Sequence, residues 1–159
     1  MFHTIVVLVV MLLAPAFCTV FEFIKWKKDI IKIGFRWFLF WTVGVRALTA
    51  GFLQFANPNY TMKLLSIGAD SKIIVRELGA IQFAVGLIAI ISVWKKNYIE
   101  PALICIGIFM LGATYLHMTR ISNIDSNEFI SLIGDFLIVV ITAIYFFVKV
   151  KNLISKNRT

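Results

Sequence analysis

The stretch from Ile73 to Trp94 reads IIVRELGAIQFAVGLIAIISVW. At 1.5 Å per residue, a helix of about 20 apolar residues crosses a hydrocarbon core of about 30 Å, so this run predicts a transmembrane helix. It opens with Arg76-Glu77-Leu78-Gly79 and carries Gln82 within it. Ionisable and amide side chains inside such a segment are costly, so they come with partners or a use.

The rest of the chain agrees with a bilayer as its solvent. Of 159 residues, 60% are hydrophobic and 15% charged, with a mean hydropathy of +0.91. Soluble domains run nearer 45–50% apolar and about 25% charged. The net charge of +8 does not imply nucleic acid, because the basic residues stand in short blocks between apolar runs, as membrane topology requires. Cys18 and Cys105 form no CxxC pair and lie in apolar runs, where a thiol acts as a small hydrophobe.

Four more runs have the same character. Spans are expected over about 4–24, 33–55, 73–94, 99–118 and 129–148, giving an all-α polytopic bundle of five transmembrane helices: a four-helix core with an added N-terminal span, in a single membrane domain over 1–159. The first holds Ala14-Pro15-Ala16, which resembles a signal-peptide cleavage site. No Lys or Arg precedes it, and Lys25, Lys27, Lys28 and Lys32 follow it, so it reads as a retained helix kinked near Pro15. The second ends at Asn57-Pro58-Asn59, after which a short interfacial helix is expected.

Loop charges set the orientation. With the N-terminus outside, the inner regions hold ten Lys and Arg: four after span one, Lys95 and Lys96 after span three, and Lys149, Lys151, Lys156 and Arg158 in the tail. The outer loops hold three, Lys63, Lys72 and Arg120. The positive-inside rule therefore puts the C-terminus in the cytoplasm of a cell-membrane protein.

That threading sorts the polar residues by depth. Glu77 lies about one turn below the outer surface, Gln82 roughly 14 Å down and Asp135 about 9 Å in, with His117 returning to the same surface and Arg46 at middle depth. Arg46, Arg76, Glu77, Gln82, His117 and Asp135 are thus expected to form a polar pocket in the outer half of the bundle. Stripes at helical spacing support this: Ser131, Asp135, Ile138, Thr142 and Tyr145; Thr42, Arg46 and Thr49; and Arg76, Gly79, Gln82 and Gly86. Gly79, Gly86, Gly107 and Gly112 allow close helix approach. The structural alternative pairs Glu77 with Arg46 and Asp135 with His117 to hold helices together, with Arg76 at the headgroups. On the opposite side, Glu22 and Arg36 lie at similar depth and predict an ion pair.

No catalytic set is assigned. The chain has no GxGxxG, P-loop or HExxH motif. His3 and His117 with nearby carboxylates lack the spacing of a metal site, and no metal is expected.

Glu77-Leu78-Gly79, Gly112-Ala113-Thr114-Tyr115-Leu116-His117, Asn127 and Gly134-Asp135 together resemble a family of small multipass membrane proteins of unknown function, distantly similar to DoxX-like proteins. The resemblance implies four core helices plus an N-terminal span, and a link to quinone or thiol redox chemistry, the latter weakened by the lack of a cysteine pair. The favoured function is non-enzymatic: the pocket binds a small ligand or a quinone, or relays protons, with Glu77 and Asp135 as acceptors and His117 as relay. The runner-up is a structural subunit beside a membrane partner in a redox or stress-response complex, and a membrane-embedded enzyme ranks third.

Overall fold

The computed structural model describes residues 9–27, 29–64, 67–119, 121 and 126–156. His3, Lys28, Arg120 and Arg158 lie outside them, as do positions 122–125 of the loop expected on the outer side. The described residues contain no strand. Six helices follow in order: α1 (Val9–Trp26), α2 (Ile30–Ala56), α3 (Pro58–Leu64), α4 (Lys72–Ser92), α5 (Ile99–Thr119) and α6 (Ser126–Lys156). All but the short α3 are long and apolar enough to cross a membrane. The chain divides into two compact units, Met1–Ala102 and Leu103–Thr159.

Within the first unit, α2 and α4 run antiparallel and touch backbone to backbone. Phe40 meets Trp94, and the missing β-carbons set the rest of the register. A Cβ on Gly44 would stand 2.6 Å from the Ile90 side chain, on Gly86 2.6 Å from Leu48 N, on Gly51 2.5 Å from Phe83 N, and on Gly79 2.8 Å from Phe55 N. Gly44 and Gly51 are seven residues apart, as are Gly79 and Gly86, so each helix presents a glycine to the other every two turns. Ala47 and Ala89, at 2% and 0% exposure, continue the seam. Gly112, expected to play the same part, has nothing within 4 Å of its Cβ position.

The buried stripe of α4 is Val75, Gly79, Gln82, Gly86 and Ala89, at the i, i+4, i+7, i+11, i+14 spacing of one face. Arg76, expected on that face, is exposed, as is Glu77. Val75 is the residue one step back, and the closed glycine seam has no room for a guanidinium.

Ahead of Pro15, where a kink is expected, the chain forms a π-helical turn, Val9–Leu13, before the α-helical Ala14–Trp26. Proline has no N–H, so the carbonyl four residues earlier, that of Met11, loses its helical donor. Thr42 supplies one: its hydroxyl donates to Met11 O at 2.9 Å in a buried contact. Thr42 itself lies in a π-helical segment of α2, Phe38–Val45. Of α1, Met11 and Pro15 are the buried residues, which leaves this helix on the flank of its unit.

Helix α2 starts at Ile30, three residues before the expected boundary, because Asp29 caps it. The Asp29 carboxylate accepts from Ile31 N at 3.0 Å and Lys32 N at 3.4 Å. The Lys32 N–H is the main cause holding the Asp29 carboxyl below its ordinary value; partial desolvation, the next in size, opposes it, and the Ile31 N–H and the Lys32 ammonium add to the lowering. At the other end Asn57 N closes on Leu53 O, and Pro58 begins α3, the expected short helix. Helix α6 passes the expected end at 148 and keeps the first tail lysines helical.

These contacts predict three outcomes. Gly51→Ala and Gly79→Ala each lower stability in detergent by about 1–3 kcal/mol or prevent folding, while Gly112→Ala is neutral or gains about 0.5–1 kcal/mol. Thr42→Val strands a buried carbonyl and costs about 1–3 kcal/mol; Thr42→Ser does not. Because the Asp29 value is depressed in the folded chain, its capping contribution is present above the unfolded carboxylate range and is lost as pH falls through the folded value; Asp29→Ala removes that dependence, as helix content against pH will show.

Candidate functional site

Hydroxyls inside apolar helices normally bond to their own preceding turn. Thr19 donates to Pro15 O at 2.6 Å, Thr49 to Val45 O at 2.9 Å, Ser92 to Ala89 O at 2.6 Å and Thr119 to Leu116 O at 2.8 Å. Thr42 reaches across to Met11 O instead, and two more threonines find no partner among the described residues. The Oγ1 atoms of Thr114 and Thr142 are buried and have no hydrogen-bond partner among the described residues. Both lie in the second unit, on helices that also carry its two titratable candidates.

In that unit α5 and α6 form a hairpin. Gly107 on α5 faces Thr142 on α6, with a built Cβ 3.0 Å from Thr142 Cγ2. Nearer the connection, His117 Nε2 stands 4.0 Å from Asp135 Oδ2. This is too long for a hydrogen bond and within the range of an ion pair once the imidazole is protonated. Asp135 is 4% exposed. The face that carries it is the expected stripe: Ile138 and Thr142 are buried, with Ser131 and Tyr145 half-buried. Thr114 precedes His117 by one turn on the same face of α5. The hairpin therefore carries a carboxylate, an imidazole and two unsatisfied hydroxyls among buried apolar residues of its helices, Ile106, Met110 and Ile138. Thr114 is not among the expected pocket residues, although its i, i+3 relation to His117 is a readable signal.

The remaining candidates belong to the first unit. Gln82 is 8% exposed, and its Oε1 is buried without a hydrogen-bond partner among the described residues; the same is true of Gln54 Oε1. Gln54 Cβ lies 2.8 Å from the Cβ position of Gly79, so the two amides flank the Gly51–Gly79 crossing. Nothing in the pattern of α2 singles out Gln54, since its partner glycine is on another helix. Arg46 is half-buried and stands at the level of Ile88, because Gly44 and Leu48 face Ile90 and Gly86. Glu77 is thus about 16 Å further along the α2/α4 pair, and the expected Arg46–Glu77 pair does not form.

The expected Glu22–Arg36 pair does form, with Arg36 Nη2 on Glu22 Oε2. Cys18 and Cys105 are free thiols. Among the described residues, no three His, Cys, Asp or Glu side chains gather as a metal set. Asn127 is helical in backbone, and its side chain lies outside the described set.

If the two hydroxyls stand idle in the fold alone, Thr114→Val and Thr142→Val leave thermal stability unchanged or raise it by up to about 1 kcal/mol, whereas a valine at either position that abolishes ligand or proton binding marks the hydroxyl as functional.

No curated protein and no solved structure matches the chain. The comparisons supply no link to DoxX-like proteins, so the redox chemistry implied by that likeness has no support from them. One family model matches residues 1–153, and the chain belongs to that family, DUF6790, a family of unknown function.

Proposed function

We propose that this is an integral membrane protein, N-terminus outside and C-terminus cytoplasmic, whose α5/α6 hairpin binds and passes a proton in step with a small ligand. The observation that supports it is His117 Nε2 at 4.0 Å from a 4%-exposed Asp135 carboxylate inside an apolar span. A carboxylate in that setting is expensive, and a neighbouring imidazole lets one proton move between the two groups without changing the pair's net charge. Thr114 and Thr142 add hydroxyls with unspent donor and acceptor capacity, which a polar ligand or a proton path uses. The orientation rests on ten basic residues in the inner regions against three in the outer loops.

In this reading Arg76 and Glu77, both exposed, meet the outer headgroups at the start of α4. Gln82 and Arg46 belong to the first unit and take no part in this reading.

The test uses the full chain in two settings. In vesicles with a trapped pH dye and an imposed potential, wild type is expected to move protons, and Asp135→Asn and His117→Gln to slow them at least about tenfold, the scale of losing a positioned proton carrier. In detergent, a thermal-shift screen against quinones, lipids and small metabolites across pH is expected to find a ligand whose shift Asp135→Asn abolishes while the protein stays folded. Wild type with neither flux above empty vesicles nor a ligand-dependent shift overturns the proposal.

A further inference from the structure

At the basic end of the first unit, Arg36, Trp37, Phe40, Val93 and Trp94 line a cavity of about 270 Å³. Its walls are aromatic: Trp37 and Phe40 pack edge to face at 5.8 Å, and Phe40 and Trp94 at 6.3 Å. Arg36 lies over the Trp37 ring, 5.3 Å from its centroid. Glu22 Oε2 takes both Arg36 Nη2 and the Trp37 indole N–H, the latter at 2.9 Å, which fixes the two side chains side by side.

The arrangement does more than neutralise a buried acid. Glu22 is 14% exposed and Arg36 40%, so the carboxylate is tucked behind a partly exposed arginine side chain, whose buried Nε has no hydrogen-bond partner among the described residues. The surrounding charge is uneven. Lys25, Lys27, Lys32, Lys95 and Lys96 are exposed at this end beside Arg36, against Glu22, Asp29 and Glu100, and Asp29 is already paired with Lys32 at 3.4 Å. Among the described residues of this unit, six basic groups stand at this end against three acidic ones.

We infer that this cavity is a binding site for the phosphate-bearing headgroup of an anionic phospholipid. Arginine's planar fork suits a phosphodiester, and Arg36 is the cation that lines the cavity, with the exposed lysines supplying longer-range attraction. Trp37 and Trp94 belong where headgroup meets acyl chain. Phe40 and Val93 give an apolar floor for the glycerol and first methylenes. The volume, just under the roughly 300 Å³ at which pockets begin to enclose drug-sized ligands, admits a headgroup and not a whole lipid. By the positive-inside distribution this is the cytoplasmic leaflet. The site is separate from the α5/α6 hairpin and does not depend on its function.

The experiment titrates delipidated full-length protein in mild detergent with short-chain phosphatidylglycerol or phosphatidylcholine, reading bound lipid by native mass spectrometry. Wild type is expected to favour phosphatidylglycerol by about fivefold or more, the attraction of one basic group near a membrane surface. Arg36→Gln abolishes the preference, Trp94→Leu weakens it, Glu22→Gln strengthens it by freeing the guanidinium, and Lys63→Gln at the other end leaves it unchanged. Should Arg36→Gln fail to fold because Glu22 is left unpaired, Glu22→Gln/Arg36→Gln removes both charges and gives the same reading. Equal affinity for the two lipids overturns the inference. So does a preference that survives both Arg36→Gln and Trp94→Leu, which assigns it to the lysines alone. Displacement by millimolar inorganic phosphate also overturns it, in favour of a soluble phosphate site.

Discussion

The first unit depends on two helix backbones coming into direct contact. Lipid tails are as apolar as leucine, so no hydrophobic force pushes α2 and α4 together, and dispersion between closely fitted surfaces has to do it. Gly44, Gly51, Gly79 and Gly86 make the fit possible by removing the β-carbons that would hold the axes apart. This contact places the other features of that unit: the level of Arg46, the outward turn of Arg76 and Glu77, the burial of Gln54 and Gln82, and the meeting of Phe40 with Trp94 that closes the basic-end cavity.

The polar groups show how each unit settles buried hydrogen-bonding capacity. Most hydroxyls turn back on their own helix. Thr42 instead repairs the vacancy that Pro15 leaves at Met11, tying α1 to α2 at the end away from the Glu22–Arg36 pair. Thr114 and Thr142 do neither, and they lie on the same two helices as His117 and Asp135. Native interiors seldom leave buried polar atoms unmatched without a use for them, which is why the hairpin, and not the more highly charged Arg76-Glu77 stretch, carries the functional reading.

Much of the fold is legible in the sequence because the bilayer imposes long uniform runs, and hydropathy reports those directly. The polar stripe of α6 is legible for the same reason: Ser131, Asp135, Ile138, Thr142 and Tyr145 keep one period along one helix. Glu22 and Arg36 can be paired by depth alone. Sequence does not supply the azimuth of α4, where Val75 and Arg76 are only 100° apart and the choice between them is made by glycines on α2. Gly44 and Gly51 give no signal of their own because a small residue gains meaning only from what it faces, and Gly112 lacks the contact that its composition suggests. Gln54 is invisible for that reason as well. The π-helical segments have no periodic signature; only Pro15 hints at one.

The heptad spacing of the glycines also acts as a detent. Sliding α2 along α4 by one turn would drive side chains into facing backbone, and the next register that realigns the notches is a whole heptad away, about 10.5 Å, a third of the membrane's thickness. Small sliding motions are therefore closed to this pair. It behaves as a rigid strut, and any working motion within the first unit has to be a rotation about the seam or a movement of α1 and α3 around it.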